Sequence, residues 1–254
     1  MGRVEEGALS YGSYLRLPEV LDLQTLLSNP PAHDELLFIV VHQAYELWFK
    51  EMVFELESVR DLLFERNVPR ARHFMARVHA IERLMREQIE VLETMDPQDF
   101  LEFRSNLNPA SGFQSIQFRE IEVLSGFRPE GYEKMAEDEE GRAILARRMA
   151  EPSVWDAFRD LLEHHGLPMS DPRQQRTSLL KLARDRDAYP EVWYLAEDLV
   201  VHDELFALWR SRHVMMVERQ IGAKTGTGGS GVEYLRTTLE KKFYPELWGL
   251  RSEL

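Results

Sequence analysis

Cysteine is absent from the 254 residues of the chain. This absence excludes disulfide bridges, zinc sites built from cysteine, iron–sulfur clusters and every thiolate-ligated metal centre. Any metal must therefore bind to histidine, aspartate, glutamate or methionine side chains.

Basic residues are scarce, and long apolar runs are missing. Lysine and arginine number 31 against 44 acidic residues, which gives a net charge of −13. This balance disfavours nucleic acid and anionic membrane surfaces as partners, because both require a basic footprint. An anionic ligand would need arginine or lysine residues at its binding site, because the net negative charge of the chain repels it. The chain shows neither a signal-peptide pattern nor an apolar stretch that could span a bilayer, so we expect a cytoplasmic protein.

Alternating β patterns are also missing, and apolar residues instead recur at three- and four-residue steps. This spacing predicts an all-α fold. One long buried helix is predicted from Asp34 to about Phe64, with Val40 and Leu47 among its apolar positions, and a second helix follows Pro69. Prolines that could occupy the first turns of further helices are Pro97, after the candidate N-cap Asp96, Pro152 and Pro190.

The chain divides into three parts by composition. Residues 128–187 are dense in charge, and short helical patterns there are interrupted by Pro168 and Pro172. We interpret this stretch as a small helical subdomain inserted into a main helical bundle, which comprises residues 1–127 and 188–254.

Eight histidines are the available nitrogen ligands for a metal. His33 starts the long helix and is predicted to be a capping or surface group. Four others, which lie among charged residues, are predicted to be solvated: His73, His79, His164 and His165.

The remaining three histidines lie in apolar surroundings. His42 interrupts the run LLFIVVHQAYELWF, so it is either a hydrogen-bonded core residue, which spacing favours, or faces a ligand cavity. His213 shares an apolar helical face with Trp209 and Val217, which suits an axial haem ligand or a buried core histidine. His202 lies eleven residues earlier and points the same way about 16 Å along the helix. Periodicity does not choose between His202 and His213.

Glycine is concentrated in residues 221–231, IGAKTGTGGSG, between two helical patterns. This segment is either a flexible connection or a loop that grips a ligand. It is not a phosphate-binding P-loop, since its lysine precedes the glycines and no strand leads into it. Motifs of zinc hydrolases, di-iron proteins and serine hydrolases are absent.

Four stretches in order resemble the motifs of the tryptophan 2,3-dioxygenase family, and YPELW near the end is also similar. They are YGSYL (Tyr11–Leu15), HDELLFIVVHQAYELWFKE (His33–Glu51), FRSNLNPASGFQSIQFREIE (Phe103–Glu122) and LWRSRHVMMVERQIGAKTGTGGS (Leu208–Ser230).

The resemblance implies a helical bundle that encloses a b-type haem and cleaves the indole ring of L-tryptophan with O₂ to give N-formyl-L-kynurenine. It implies that His213, rather than His202, is the proximal iron ligand. His42 is the expected distal, catalytic residue that accepts the indole N–H, with Phe38 packed on the indole ring. Arg104 is the expected partner of the substrate carboxylate.

Further residues follow from the same resemblance. Ser111 is expected at the distal face of the haem, and Thr227 is expected to contact the ammonium and carboxylate of the amino acid. Tyr11, Tyr14 and Leu15 match a segment that completes a neighbouring subunit's pocket, which implies a homotetramer.

Two departures from the family pattern concern substrate binding. Phe100, counted with Phe103 among the substrate-binding residues, stands where some members carry a tyrosine. The glycine-rich loop is one residue shorter than the usual form. These differences leave open a relative that oxygenates a modified indole, including by mono-oxygenation. The alternative from another functional class is a protein that binds haem as a sensor and catalyses no reaction.

Overall fold

Helices make up the regular secondary structure of residues 9–222 and 231–254, which are the residues that the computed structural model describes. No strand occurs in these two ranges, so the predicted all-α fold is confirmed. Among the helices in these ranges, none combines the length and the apolar character that a membrane span requires.

The described regular structure consists of α-helices and a few short 3₁₀ turns. The α-helices are α1 (Tyr11–Tyr14), α2 (Leu17–Val20), α3 (His33–Phe64), α4 (Val68–Leu92), α5 (Pro97–Arg104), α6 (Ile116–Ser125), α7 (Glu139–Ala150), α8 (Val154–His164), α9 (Pro172–Arg184), α10 (Pro190–Ile221), α11 (Gly231–Thr237) and α12 (Pro245–Leu250). The 3₁₀ turns are Ser105–Leu107, Gly112–Gln114, Tyr132–Met135, Arg186–Ala188 and Arg251–Glu253.

Helix α4 packs against both α3 and α10, and the three helices form the centre of the fold. Met52 and Leu56 of α3, Met75 and Met85 of α4, and Leu199 of α10 have no solvent exposure and belong to one core. Burying such a side chain contributes about 1.5–3 kcal/mol. The three helices therefore fix the relative positions of the side chains that they carry.

Prolines mark helix starts, largely as predicted. Asp96 caps α5 through a 2.7 Å bond from a backbone amide, and Pro97 and Pro190 occupy the first turns of α5 and α10. Pro172 opens α9 in the same way, and the helical pattern is interrupted between the end of α8 at His164 and this residue, as predicted. Pro152 precedes the N-cap of α8 and lies outside that helix.

The predicted burial of the first long helix is wrong for part of its surface. The bounds of α3 match the prediction, but Val40 is 46% and Leu47 62% exposed, together with Leu36 at 48% and Phe54 at 62%. These four positions recur at steps of four and seven residues, so they form one apolar stripe along the outside of α3.

Residues 128–187 form α7, α8 and α9 with their connections. Phe158 and Leu161 of α8 and Leu182 of α9 belong to the same hydrophobic core as α3, α4 and α10. The division into a main bundle and an inserted subdomain stays a prediction.

Candidate active site

A large cavity lies between α3, α4, α5, α6, α10 and α11. Its empty volume is about 1600 Å³, part of it open to solvent. Most of the wall of the cavity is apolar.

His42 of α3 lines this cavity, contrary to the core position that spacing favours. Its Nδ1 lies 2.7 Å from the carbonyl oxygen of Phe38, one turn earlier. A carbonyl can only accept a hydrogen bond, so Nδ1 carries the proton. Burial lowers the pKa of His42, although the Phe38 carbonyl and Glu46 act in the opposite direction. The ring is therefore neutral near pH 7, and its Nε2 lone pair is an acceptor.

An aromatic wall adjoins His42. The ring centroids of Phe38 and His42 are 4.0 Å apart, and the Phe38 ring stacks on Phe100 at 5.8 Å. Phe38 and Phe100 line the cavity. Phe103 is fully buried, makes a T-shaped contact with the Phe38 ring at 5.6 Å, and does not line the cavity. The structure thus brings Phe38 and Phe100 to the site and places Phe103 as support.

His213 of α10 lines the same cavity. Its ring stacks on Trp209 with a centroid distance of 5.3 Å and an interplanar angle of 8°. Neither ring nitrogen has a hydrogen-bond partner among the described residues. Burial, aided by the proximity of His42, lowers the pKa of His213 to about 4. A neutral, unpartnered imidazole in an apolar wall is suited to binding a metal.

His202 does not reach the cavity. It is fully buried, with Nδ1 2.6 Å from Glu82 Oε1 and Nε2 2.8 Å from Ser125 Oγ. Burial lowers its pKa to about 4 and raises that of Glu82 well above its ordinary value. The chain Ser125–His202–Glu82 resembles a catalytic triad in order, but its three side chains are buried without access to substrate. His202 is therefore a core residue.

His79 is also buried, so the prediction of a solvated side chain is wrong. It is 6% exposed, and its Nε2 donates to the carbonyl oxygen of Asp198 at 2.9 Å. Burial lowers its pKa to about 4. The surface positions predicted for the other four are confirmed, namely for His33, His73, His164 and His165.

Two of the three predicted polar contacts of the substrate and cofactor lie at the cavity. Arg104, the last residue of α5, lines it, as does Ser111, which caps the 3₁₀ turn Gly112–Gln114 by accepting from the Phe113 amide. Thr227 lies outside the described residues. The structure thus brings Arg104 and Ser111 together with His42 and His213 around one cavity.

Tyr11, Tyr14 and Leu15 do not contribute to the cavity of their own chain. Tyr11 is 77% exposed and Tyr14 71%, and Leu15 follows them at 40%. None of the three lines the cavity. The first two lie on α1, a single turn of helix.

A group of charged residues at the cavity was not predicted from the sequence. Arg119 and Glu122 of α6 and Arg210 of α10 line it, although each is at least 97% buried. The available signal was the occurrence of charged residues inside two apolar helical patterns, FREIEVL and LFALWRSRH. Charged side chains at such positions are buried only when they are paired or bind a ligand.

The sequence is similar to known proteins over nearly its whole length. The sequence profile of the family described as Tryptophan 2,3-dioxygenase matches residues 1–171 and 169–254. A tryptophan 2,3-dioxygenase of Nocardioides sp. is 52% identical over 98% of this chain and 97% of its own. Those of Herpetosiphon aurantiacus and Serratia proteamaculans are each 42% identical over 97% of this chain, and over 99% and 93% of their own. The chain belongs to the tryptophan 2,3-dioxygenase family.

Proposed function

We propose that this protein is a haem-dependent dioxygenase that inserts both atoms of O₂ across the C2–C3 bond of L-tryptophan and releases N-formyl-L-kynurenine. The observation that carries the proposal is the pair of neutral histidines at one cavity. His42 presents a hydrogen-bond acceptor there, and His213 presents an imidazole with no partner among the described residues.

The residues at the cavity fit a b-type haem. His213 would hold the iron, since its imidazole is neutral and the surrounding wall is apolar. Ser111 would border the distal face. When bound, haem supplies the activation of O₂ that opening of the indole ring requires. The remaining tasks, which are binding, orientation and exclusion of water, belong to the protein.

His42 orients the substrate. The Phe38 carbonyl holds the proton on Nδ1, so Nε2 can accept the indole N–H. An indole N–H is too weak an acid to make proton removal a necessary role for this histidine. Fixing the ring in one orientation is sufficient to accelerate the reaction, because a positioned reactant has already lost its translational and rotational freedom.

The aromatic wall and Arg104 complete the recognition of the amino acid. Phe38 and Phe100 offer apolar ring faces for the indole. Arg104 provides a planar cation for the carboxylate, which a guanidinium binds through two parallel hydrogen bonds. Thr227 is proposed as the contact of the ammonium group.

A single-turnover reaction tests the function. The ferrous, haem-loaded protein is mixed anaerobically with tryptophan, isotopically labelled O₂ is admitted, and the product is identified by mass. We expect N-formylkynurenine with two labelled oxygen atoms. A product with one labelled oxygen would show mono-oxygenation, and unchanged tryptophan would favour a haem-binding sensor.

A relative that acts on a modified indole is the second candidate. The supporting observation is Phe100, which presents an apolar ring to the cavity where some family members carry a hydroxyl. Supplying ring-substituted tryptophans in the same reaction distinguishes the candidates. A substituted compound that reacts faster than tryptophan would favour the second.

We also propose a homotetramer in which the N-terminal segment completes the pocket of a neighbouring subunit. Tyr11 and Tyr14 support this assembly, because large exposed aromatic groups are typical of interaction surfaces. The stripe on α3 formed by Leu36, Val40, Leu47 and Phe54 is a second exposed apolar surface.

A further inference from the structure

Gln220, near the end of α10, lines the cavity and is 6% exposed. Its Nε2 lies 3.0 Å from the carbonyl oxygen of Met95 and 3.5 Å from that of Leu92, where α4 ends. Because a carbonyl oxygen can only accept a hydrogen bond, the amide nitrogen must face these two groups. The amide oxygen, Oε1, therefore lies on the opposite side of the amide group.

Gln220 Oε1 is a buried acceptor without a hydrogen-bond partner in the part of the chain that the structure describes. Three other residues of the cavity wall have a buried side-chain atom of this kind, but each atom is an N–H donor: Arg119 Nε, Trp209 Nε1 and Arg210 Nε. A buried polar atom without a partner is costly. Capping of α4 accounts for Nε2 of Gln220 and leaves Oε1 unexplained.

Gln220 and Arg104 lie at opposite ends of α5. Gln220 binds the carbonyl of Met95, two residues before Pro97, which begins α5, whereas Arg104 is its last residue. At 1.5 Å per residue, Pro97 and Arg104 are about 10 Å apart along the helix. Since Arg104 is the proposed partner of the substrate carboxylate, Gln220 lies towards the indole ring rather than the amino-acid group.

The wall beside Gln220 is apolar. Ile221, the next residue, forms a buried cluster with Met95 and Phe100, and Phe38 packs against this cluster. Phe38 and Phe100 also line the cavity, where they are the proposed contacts of the indole ring. In such a wall water competes weakly for an acceptor, so a ligand that donates to it gains more than it would at a wet surface.

We propose that Gln220 determines substrate specificity by accepting, at Oε1, a hydrogen bond from a hydroxyl or amino substituent on the six-membered ring of the indole. This inference rests on the proposed function and gives its second candidate, a modified indole, a chemical class. The two donor groups of tryptophan itself are assigned to His42 and Thr227, so tryptophan leaves Oε1 without a donor. A donating ring substituent satisfies it, whereas a methyl group at the same position does not.

Matched ligands test the proposal by binding alone. Calorimetry measures the affinity of the haem-loaded ferric protein for hydroxytryptophans and methyltryptophans, with the substituent at each position of the six-membered ring in turn. At one position the hydroxy compound should bind more tightly than the methyl compound by roughly 5- to 150-fold, as expected when a buried acceptor gains its donor. At the other positions the methyl compound should bind at least as well, because the wall is apolar.

Variants locate the preference at Gln220. Gln220→Met keeps the size of the side chain and removes the acceptor, so the affinity ratio at that position should fall to about one. Gln88→Met is the matched control: Gln88 Nε2 also donates to a helix carbonyl oxygen, that of Val41 at 2.9 Å, but Gln88 does not line the cavity. The ratio should persist in this control. If Gln220→Met does not fold, Gln220→Lys replaces it, because its ammonium group still donates to the α4 carbonyls but cannot accept.

Two outcomes overturn the proposal. Wild type that binds no hydroxy compound more tightly than its methyl counterpart would make Gln220 a cap of α4 only. A preference that persists in Gln220→Met, or in Gln220→Lys where it is the replacement, would place the acceptor elsewhere. In both cases the proposed function survives if tryptophan still gives N-formylkynurenine. A preference that is lost in the variant, in a wild type that converts none of these compounds, would refute the function and leave Gln220 as a ligand contact.

Discussion

Replacing His42 by alanine should remove the acceptor of the hydrogen bond from the indole N–H and so weaken the binding of tryptophan. In the structure Nδ1 is engaged by the Phe38 carbonyl at 2.7 Å, which leaves Nε2 as an acceptor at the cavity. A buried donor without a partner costs about 1–3 kcal/mol, which corresponds to a loss of roughly 5- to 150-fold in affinity. His42→Ala leaves space for a water molecule, so we expect the lower half of that range.

A pair of ligands isolates this single contact. Tryptophan is compared with its benzofuran analogue, in which an oxygen atom replaces the N–H with little change of shape. Wild type should bind tryptophan more tightly, while His42→Ala should bind the two ligands almost equally. Binding to the haem-loaded ferric protein is measured by calorimetry, which avoids turnover. Phe38→Leu is the control: it should weaken both ligands alike, because the carbonyl that fixes His42 is retained.

The pH dependence gives an independent check of the same contact. The pKa of His42 is lowered by burial, so Nε2 keeps its lone pair above the ordinary pKa of 6.5. The preference for tryptophan over the analogue should be constant there and fall only as the pH drops through the lowered pKa. If His42→Ala still discriminates between the ligands as wild type does, the indole N–H has another partner and our assignment is refuted.

Four further outcomes are expected. His213→Ala should abolish the native Soret band, and His202→Ala should keep it while lowering thermal stability; the reverse pattern in absorbance spectra would disprove the ligand assignment. Arg104→Ala should weaken tryptophan binding by more than about tenfold, since one side of a charged pair is lost, and calorimetry should show tryptamine unaffected; equal effects on both ligands would make Arg104 structural. His79 has a folded pKa of about 4, so the unfolded state takes up its proton first and stability should fall by up to about 3 kcal/mol between pH 6.5 and 4. Urea unfolding of His79→Gln should show that its free energy of unfolding depends less on pH in that window. The same pH dependence as in wild type would contradict this prediction. Deletion through Leu15 should impair substrate binding more than haem retention, whereas a fully active monomer in sedimentation would argue against the shared pocket.

The long helices were predictable because each repeats a simple pattern over many turns. The bounds of α3 are confirmed to within one residue, since apolar steps of three and four persist from its first turn to Phe64. The starts of α5 and α10 were predictable from prolines and the Asp96 N-cap, because these residues determine the backbone conformation within a single helical turn. Local rules of this kind can be applied without knowledge of the tertiary structure.

Burial of individual side chains was less predictable, because it depends on what packs from outside the helix. Val40 and Leu47 follow the helical pattern of α3 yet lie on its exposed surface. His79 lies among charged neighbours in sequence, but α10 covers it and supplies the Asp198 carbonyl. The buried charged residues at the cavity show the same limit, because Glu122 of α6 and Arg210 of α10 meet only in the folded chain.

Three buried or cavity-facing histidines differ chiefly in which ring nitrogens the protein itself uses. His202 has both nitrogens engaged, by Glu82 and Ser125, so neither is left for a ligand. His42 has one engaged by a carbonyl of its own helix, which leaves an acceptor of fixed position. His213 has neither engaged among the described residues, so its lone pair remains for a metal. A helical period places all three rings in apolar surroundings, but only partners from other elements separate His202 from His213. The distinction between a core histidine and a ligand is therefore tertiary, whereas the tautomer of His42 is set locally, within a single turn of α3.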